Sequence, residues 1–309
     1  MTESRVKSDL SLDFAGLRLK NPLIAASGVF GYGEEYAKVA DIRAFGAVTV
    51  KGTTLHPRAG NVPPRVCETP AGMLNSIGLE NPGAEIVARE KIPWIAKFGV
   101  PVIVNISGDS YDEFSALAAM FQGVTGVDAL EVNVSCPNVA AGGMAFGMDP
   151  RSCYRATRAV RSKWNGPLIV KLSPNAADIV AIARAAVEGG ASALSLINTL
   201  VGIVIDLKTR RPVLGNVTGG LCGPAIKPVA VRCVYQVSQA VQVPVIGMGG
   251  VTSANDVLEL MMAGASAVAM GSGLLVDPAA PARIVEDLAR YCSEQGISNP
   301  QEIVGAAWK

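Results

Sequence analysis

The chain reads as a (β/α)8 barrel of the TIM type: one domain over residues 1–309, with an N-terminal hairpin and long loops after the second, fourth and sixth strands. Three observations predict it. Eight short apolar or β-branched runs recur along the sequence, and stretches with apolar residues at three- and four-residue spacing alternate with them. The length of 309 residues suits one barrel, since α/β barrels of about 250 residues fold as a unit. Strict alternation of strand and helix builds a parallel sheet covered by its own helices.

In chain order, residues 11–21 alternate apolar and polar positions around Gly16 and predict a hairpin that covers one end of the barrel. The strand runs are 23–26, 47–50, 102–106, 129–132, 168–172, 193–197, 245–247 and 267–270. Helical spacing falls at 34–45, 84–98, 112–124, 149–164, 176–188, 225–241, 253–263 and 281–292. Ser173-Pro174-Asn175 and Thr252-Ser253 predict helix starts, and the pairs Gly189-Gly190 and Ala263-Gly264 predict helix exits. Connections 52–83 and 198–223 are too long for turns and leave strand C-termini, where barrel loops carry function.

Composition excludes several classes. Basic and acidic residues number 27 and 26, for a formal charge of +1, so no electrostatic footprint draws the chain to nucleic acid or to anionic membranes. Six cysteines at 67, 136, 153, 222, 233 and 292 form no CxxC pair, and His56 is the only histidine, which predicts neither a metal site nor a disulfide framework. Reduced thiols and a charged N-terminus without an apolar core predict a cytoplasmic protein. The uncharged window 260–276 is broken by Gly264, Gly271 and Gly273, so a strand, a glycine turn and a helix start describe it better than a membrane span.

The predicted strand ends carry a biased set of groups. Ser27 follows the first strand, Lys51-Gly52 the second, Asn105 ends the third, Asn133 and Cys136 follow the fourth, Lys171 ends the fifth, and Ile197 leads into Asn198-Thr199 at the sixth. Gly249-Gly250 and Gly271-Ser272 follow the last two, with Gly223 closing the preceding long loop. Unhindered N–H groups after strands seven and eight are a common phosphate cradle in barrels. Carboxamides that donate and accept suit a planar amide-like ligand, and a thiol of lowered pKa serves as a base.

In their order, Lys51-Gly52-Thr53-Thr54, Asn75-Ser76-Ile77-Gly78-Leu79 with Asn81-Pro82-Gly83, Asn133-Val134-Ser135-Cys136-Pro137-Asn138, and Val170-Lys171-Leu172-Ser173-Pro174-Asn175 resemble the dihydroorotate dehydrogenases, specifically the class 1B catalytic subunit. The resemblance runs from about residue 12 to the C-terminal helix. It implies one FMN per chain and oxidation of (S)-dihydroorotate to orotate in pyrimidine synthesis. Cys136 resembles the family's base, which takes the C5 proton as hydride leaves C6. Lys51, Asn75, Ser76, Ile77, Gly78, Leu79, Asn133, Asn138, Asn198 and Thr199 resemble its substrate contacts. Ser27, Lys51, Gly52, Asn105, Asn133, Lys171, Ile197, Gly223, Gly249, Gly250, Gly271 and Ser272 resemble its FMN contacts, with Lys171 a counter-charge for the reduced ring.

The subclass implies a partner subunit carrying FAD and a [2Fe-2S] cluster that passes electrons to NAD, and a homodimer within a heterotetramer. This chain has no cysteine cluster and no GxGxxG after its first strand. Class 2 resembles it less, having serine at the base position. Ala140 and Met148 depart from the residues frequent in class 1B. The alternatives are a class 1A enzyme that uses fumarate, a related FMN barrel of the dihydropyrimidine or dihydrouridine type, and a phosphate-binding barrel or scaffold without catalysis.

Overall fold

A closed barrel of eight parallel strands is the centre of the computed structural model, which describes residues 8–135 and 146–308. The strands are β1 (Leu23–Ala25), β2 (Ala47–Thr53), β3 (Val102–Ile106), β4 (Ala129–Asn133), β5 (Leu168–Lys171), β6 (Ala193–Leu196), β7 (Val245–Met248) and β8 (Ala267–Met270). Each pairs with its neighbours in chain order, and β8 closes on β1 through Val268 opposite Leu23. Both faces of the sheet are covered, so the strands are buried nearly throughout.

Alternate residues divide the core in two. Outward-pointing Val48, Val102, Leu130, Leu168 and Val245 pack with the helices. Inward-pointing Ile24, Ala47, Ile103, Ala129, Ile169, Ala193, Ile246 and Ala267 meet Leu12, Phe14, Leu17 and Leu19 of the hairpin, whose strands are Leu12–Phe14 and Leu17–Leu19. The expected hairpin therefore plugs the end of the barrel where the strands begin.

Most helices follow the sequence spacing and start at a side-chain cap. Ser110, Asp149 and Asp178 accept from N–H groups in the first turns of Tyr111–Phe121, Pro150–Arg161 and Ile179–Glu188, and Ser253 forms a capping box with Asp256 on Ala254–Ala263. Helices Lys227–Ser238 and Ala280–Glu294 complete the later crossovers. The helix expected over 84–98 is Ala84–Ile86, a π-helical segment Val87–Lys91, and Ile92–Ala96. Pro93 has no N–H to return to the carbonyl four residues back, which is where a wider turn is tolerated.

Two expectations need correction. The spacing at 34–45 does not form a helix: two 3-10 turns, Tyr36–Lys38 and Ile42–Ala44, occupy it, because the Asp41 carboxylate takes the Arg43 N–H at 2.9 Å and restarts the chain midway. Rings of Phe30, Tyr36 and Phe45, 5.5 to 6.1 Å apart, hold this crossover against the barrel. Ser173-Pro174-Asn175 does not start a helix either. The Ser173 hydroxyl accepts from Asn175, while the Asn175 side chain bonds Thr199 and Val201, so the helix waits for Asp178.

The long connections after β2 and β6 build one sheet. Val66–Thr69 and Gly72–Asn75 form a hairpin, and Gly72–Asn75 pairs antiparallel with Gly219–Cys222, which pairs with Leu200–Gly202. This sheet stands over the C-terminal end of the barrel. Among the described residues no helix is long and apolar enough to cross a membrane. The window 260–276 is a helix end, a turn, β8 and the short helix Gly273–Val276.

Candidate active site

A cavity of about 420 Å³ lies between the strand ends and the overlying sheet, within the roughly 300–1,000 Å³ usual for small-molecule sites. Its floor comes from β2 to β5 and the residue after β6: Lys51, Gly52, Asn105, Asn133, Lys171 and Ile197. Asn75, Ile77, Gly78 and Leu79 line it from the first long loop, and Asn198, Thr199 and Gly223 from the second. Ser27, Gly249, Gly250, Gly271 and Ser272 close the remaining side. Ser76 does not line the cavity; it is fully buried, its N–H donates to the Arg65 carbonyl at 2.7 Å, and its hydroxyl accepts from Asn61 at 2.9 Å. Cys136, Asn138 and Ala140 lie outside the described residues.

Two cations face this space. Lys171 is buried and Lys51 is half-buried, and among the described residues neither forms an ion pair. A buried ammonium without a carboxylate partner favours an anionic or electron-rich ligand.

The glycine side has different chemistry. Among the described residues no hydrogen-bond acceptor takes up the N–H groups of Gly250, Gly271 or Ser272. Gly250 is buried and Gly271 and Ser272 are half-buried, and open donors gathered in one cluster fit the oxygens of a phosphate group. Gly250 has φ +74°, and a Cβ there would stand 2.7 Å from Lys227 Cβ and 3.1 Å from the Gly223 carbonyl oxygen, so only glycine fits without strain. The helix after Ser272 is just four residues long, which makes backbone donors, rather than a helix dipole, the physical basis of this cradle.

The loop is braced from behind by Asp256. Its Oδ2 accepts from the N–H and hydroxyl groups of both Thr252 and Ser253 at 2.9 Å, and its Oδ1 meets Lys227 Nζ at 2.7 Å. Burial pushes the Asp256 carboxyl up, but the ammonium and these donors outweigh it and hold the group down at about 2.

The carboxamides form a connected wall. Asn133 Nδ2 approaches Asn105 Oδ1 at 3.4 Å, and Asn133 Oδ1 accepts from the Ser135 N–H and hydroxyl at 3.2 and 3.1 Å. Asn198 Nδ2 donates to the Ser135 carbonyl and hydroxyl at 3.1 and 2.9 Å, so the residue before Cys136 is tied to the end of β6. Asn75, opposite Gly220 in the overlying sheet, donates to the Gly220 carbonyl at 3.1 Å.

Sequence reasoning missed Glu131, Met73 and Cys222. Met73 and Cys222 line the cavity from paired strands of the upper sheet. The Cys222 thiol is pushed up by burial and donates to the Met73 carbonyl at 3.5 Å, which makes it a wall rather than a base. Glu131 lies beneath the floor, bonded to Asn105 and Ser195. A lone carboxylate inside an apolar strand, two residues before Asn133, was the available signal.

With the fold and cavity in place, comparison with known proteins is specific. The family model described as dihydroorotate dehydrogenase matches residues 9–291. The chain is 55% identical over 302 residues to a Desulforudis audaxviator protein named dihydroorotate dehydrogenase B (NAD(+)), catalytic subunit, covering 98% of each chain. Proteins of the same name from Geotalea uraniireducens and Bacillus pumilus are 51% and 50% identical, covering 97% of this chain and 98% and 97% of their own. A solved structure of DHODH in complex with ferulenol from Eimeria tenella superposes with a TM-score of 0.82 at 23% identity, covering 100% of this chain and 91% of that one, which supports the barrel fold. By sequence along nearly its whole length, the chain belongs to the dihydroorotate dehydrogenase family.

Proposed function

We propose that this chain is the catalytic subunit of an NAD-linked dihydroorotate dehydrogenase, a cytoplasmic enzyme that binds one FMN in a single barrel domain and oxidises (S)-dihydroorotate to orotate in pyrimidine synthesis. The observation that carries this reading is the polarity of the cavity: carboxamides and lysines without an ion pair among the described residues on one side, and on the other backbone donors with no acceptor among those residues. The residues fit the cofactor. Gly250, Gly271 and Ser272 would hold its phosphate, and Lys171, Asn105 and Asn133 its ring. When bound, FMN supplies the two-electron acceptor for hydride leaving C6 of the substrate.

The chain's own residues do the rest. The Lys51 ammonium holds the substrate carboxylate, and the carboxamides of Asn75, Asn133, Asn138 and Asn198 match the ring amides, each donating from its NH2 and accepting at its oxygen. Asn75, Ile77, Gly78, Leu79 and Thr199, which line the cavity, close over the ring. Cys136 takes the C5 proton as its thiolate, so the proton and the hydride leave adjacent carbons and the ring gains one C=C bond. Asn198 holds the Ser135 carbonyl and so steadies the strand-proximal stem of the Cys136 loop. Electrons leave through a partner subunit with FAD and a [2Fe-2S] cluster, the chain forming a homodimer within a heterotetramer. The relatives' name, catalytic subunit, supports such a partner.

Anaerobic addition of dihydroorotate to the purified chain tests the activity. Bleaching of a flavin absorption with formation of orotate is expected, and a colourless or unresponsive protein would overturn it. Turnover with dye, fumarate and NAD in parallel tests the electron route: the lone chain should reduce dye well and NAD very poorly, and a cognate FAD and iron-sulfur subunit should restore NAD reduction. Brisk fumarate turnover would indicate the fumarate-dependent class, and brisk NAD turnover by the lone chain would remove the need for a partner.

A further inference from the structure

Glu131 is 2% exposed on β4, two residues before Asn133, and so points the same way, into the barrel. Its Oε1 accepts from the Ser195 hydroxyl at 2.7 Å, and its Oε2 accepts from the Asn105 amide. Both carboxylate oxygens face donors, a hydroxyl and a carboxamide NH2, so Glu131 serves as an acceptor on both sides.

An acceptor-only group has a directional consequence. Asn105 must turn its NH2 down to Glu131, which leaves its Oδ1 facing Asn133 Nδ2. Asn133 must then aim its Oδ1 at Ser135, whose N–H and hydroxyl both donate to it. With its one proton committed to Asn133, the Ser135 hydroxyl accepts from Asn198 Nδ2. Reversing any one carboxamide would set two donors or two acceptors against each other, at the cost of a buried unsatisfied group.

We propose that Glu131 is a positioning residue that sets the hydrogen-bond polarity of the whole cavity wall, from Asn105 through Asn133 to Asn198, and that its buried negative charge opposes Lys171 in setting the potential of the flavin. This rests on the flavin-dependent reading above. Polarity matters there because the pyrimidine edge of a flavin and the ring of the substrate both alternate carbonyl acceptors with an N–H donor. A wall of reversed sense would meet each of them with like groups.

Glu131→Gln keeps the side chain's shape but puts an NH2 where a carboxylate oxygen stood, and so permits Asn105 to turn over. FMN dissociation from this variant should strengthen at least tenfold in equilibrium constant, the scale of a lost charge-assisted bond. The reduction potential of the FMN that remains should move to more positive values, while Lys171→Ala should move it to more negative ones. A merely structural Glu131 would change thermal stability or occupancy and leave the potential alone, so an unmoved potential in Glu131→Gln overturns the proposal. Should that variant not fold, neutron diffraction from the wild-type protein decides. The Asn105 NH2 should face Glu131 and the Asn133 carbonyl should face Ser135, and either group reversed overturns it. Bleaching of wild-type flavin by dihydroorotate is scored separately; were the purified chain to hold no flavin, the functional reading would fail while the neutron map still judged the polarity.

Discussion

The two ends of the barrel are built from the same eight strands and have opposite characters. Where the strands begin, Ile24, Ala47, Ile103, Ala129, Ile169, Ala193, Ile246 and Ala267 close on Phe14 and its hairpin neighbours in one apolar cluster. Two residues further along β3, β4, β5 and β6, the same inward row becomes Asn105, Glu131, Lys171 and Ser195. One step of the pleat separates an apolar seal from a polar floor. The lesson is that stability and chemistry are stacked along one axis, with the sealed end supplying rigidity to groups that water would otherwise compete for.

Four substitutions would break or sharpen this contrast. If Cys136 is the base, Cys136→Ala should leave FMN bound and slow flavin reduction by dihydroorotate about 10²- to 10⁴-fold, as loss of a positioned base does. Stopped-flow absorbance measures this, and near-normal reduction at neutral pH would remove Cys136 as the base. At the sealed end, Phe14→Ala should cost about 3–5 kcal/mol of stability, because a fully buried ring leaves a cavity behind. Denaturant titration reads the loss. The surviving folded enzyme should keep its kcat/KM, and a selective fall in that ratio would show that the two ends are not separable.

Gly250→Ala probes the cradle. A Cβ at φ +74° beside Lys227 adds roughly 1–3 kcal/mol of strain, and the phosphate donors should shift with it. FMN affinity should fall about tenfold or more, beyond the melting temperature drop of several degrees that such strain brings. Unchanged affinity would take Gly250 out of the phosphate site.

The smallest effect concerns Asp256 behind the cradle. Its folded value of about 2 lies below the ordinary 3.8, so its bonds stabilise the fold above that ordinary value and the contribution is lost as pH falls through about 2. Asp256→Asn should therefore cost about 2 kcal/mol at neutral pH, with the gap to wild type closing between about pH 4 and pH 2. Equal stability of the two proteins at pH 7 would contradict the assignment.

Much of the candidate site was visible in the sequence because a barrel converts a local property into a spatial one. Once Ala129–Asn133 is a strand, Asn133 stands at its C-terminal end, and the strand ends of a closed barrel converge wherever they lie in the chain. Lys51, Asn105, Lys171 and Gly250 meet in one cavity for that reason. Helical spacing was a weaker guide where side chains competed for the backbone. Asp41 divided the first crossover and Ser173 delayed the helix after β5, both through hydrogen bonds spanning only two residues.

By itself the sequence determined the alternation of strands and helices, the plugging hairpin and the groups at the strand ends, all of which follow from periodicity and from residue chemistry within a few positions. Only the tertiary structure decided that Asn75 pairs with Gly220 in a sheet roofing the cavity, that Ser76 turns away from it, and that Glu131 reaches Asn105 and Ser195. These contacts join residues from 15 to 145 positions apart. The strand pattern shows which face of each segment is buried, but a hydrogen bond between distant segments depends on register and on which partners the closed barrel brings within about 3 Å.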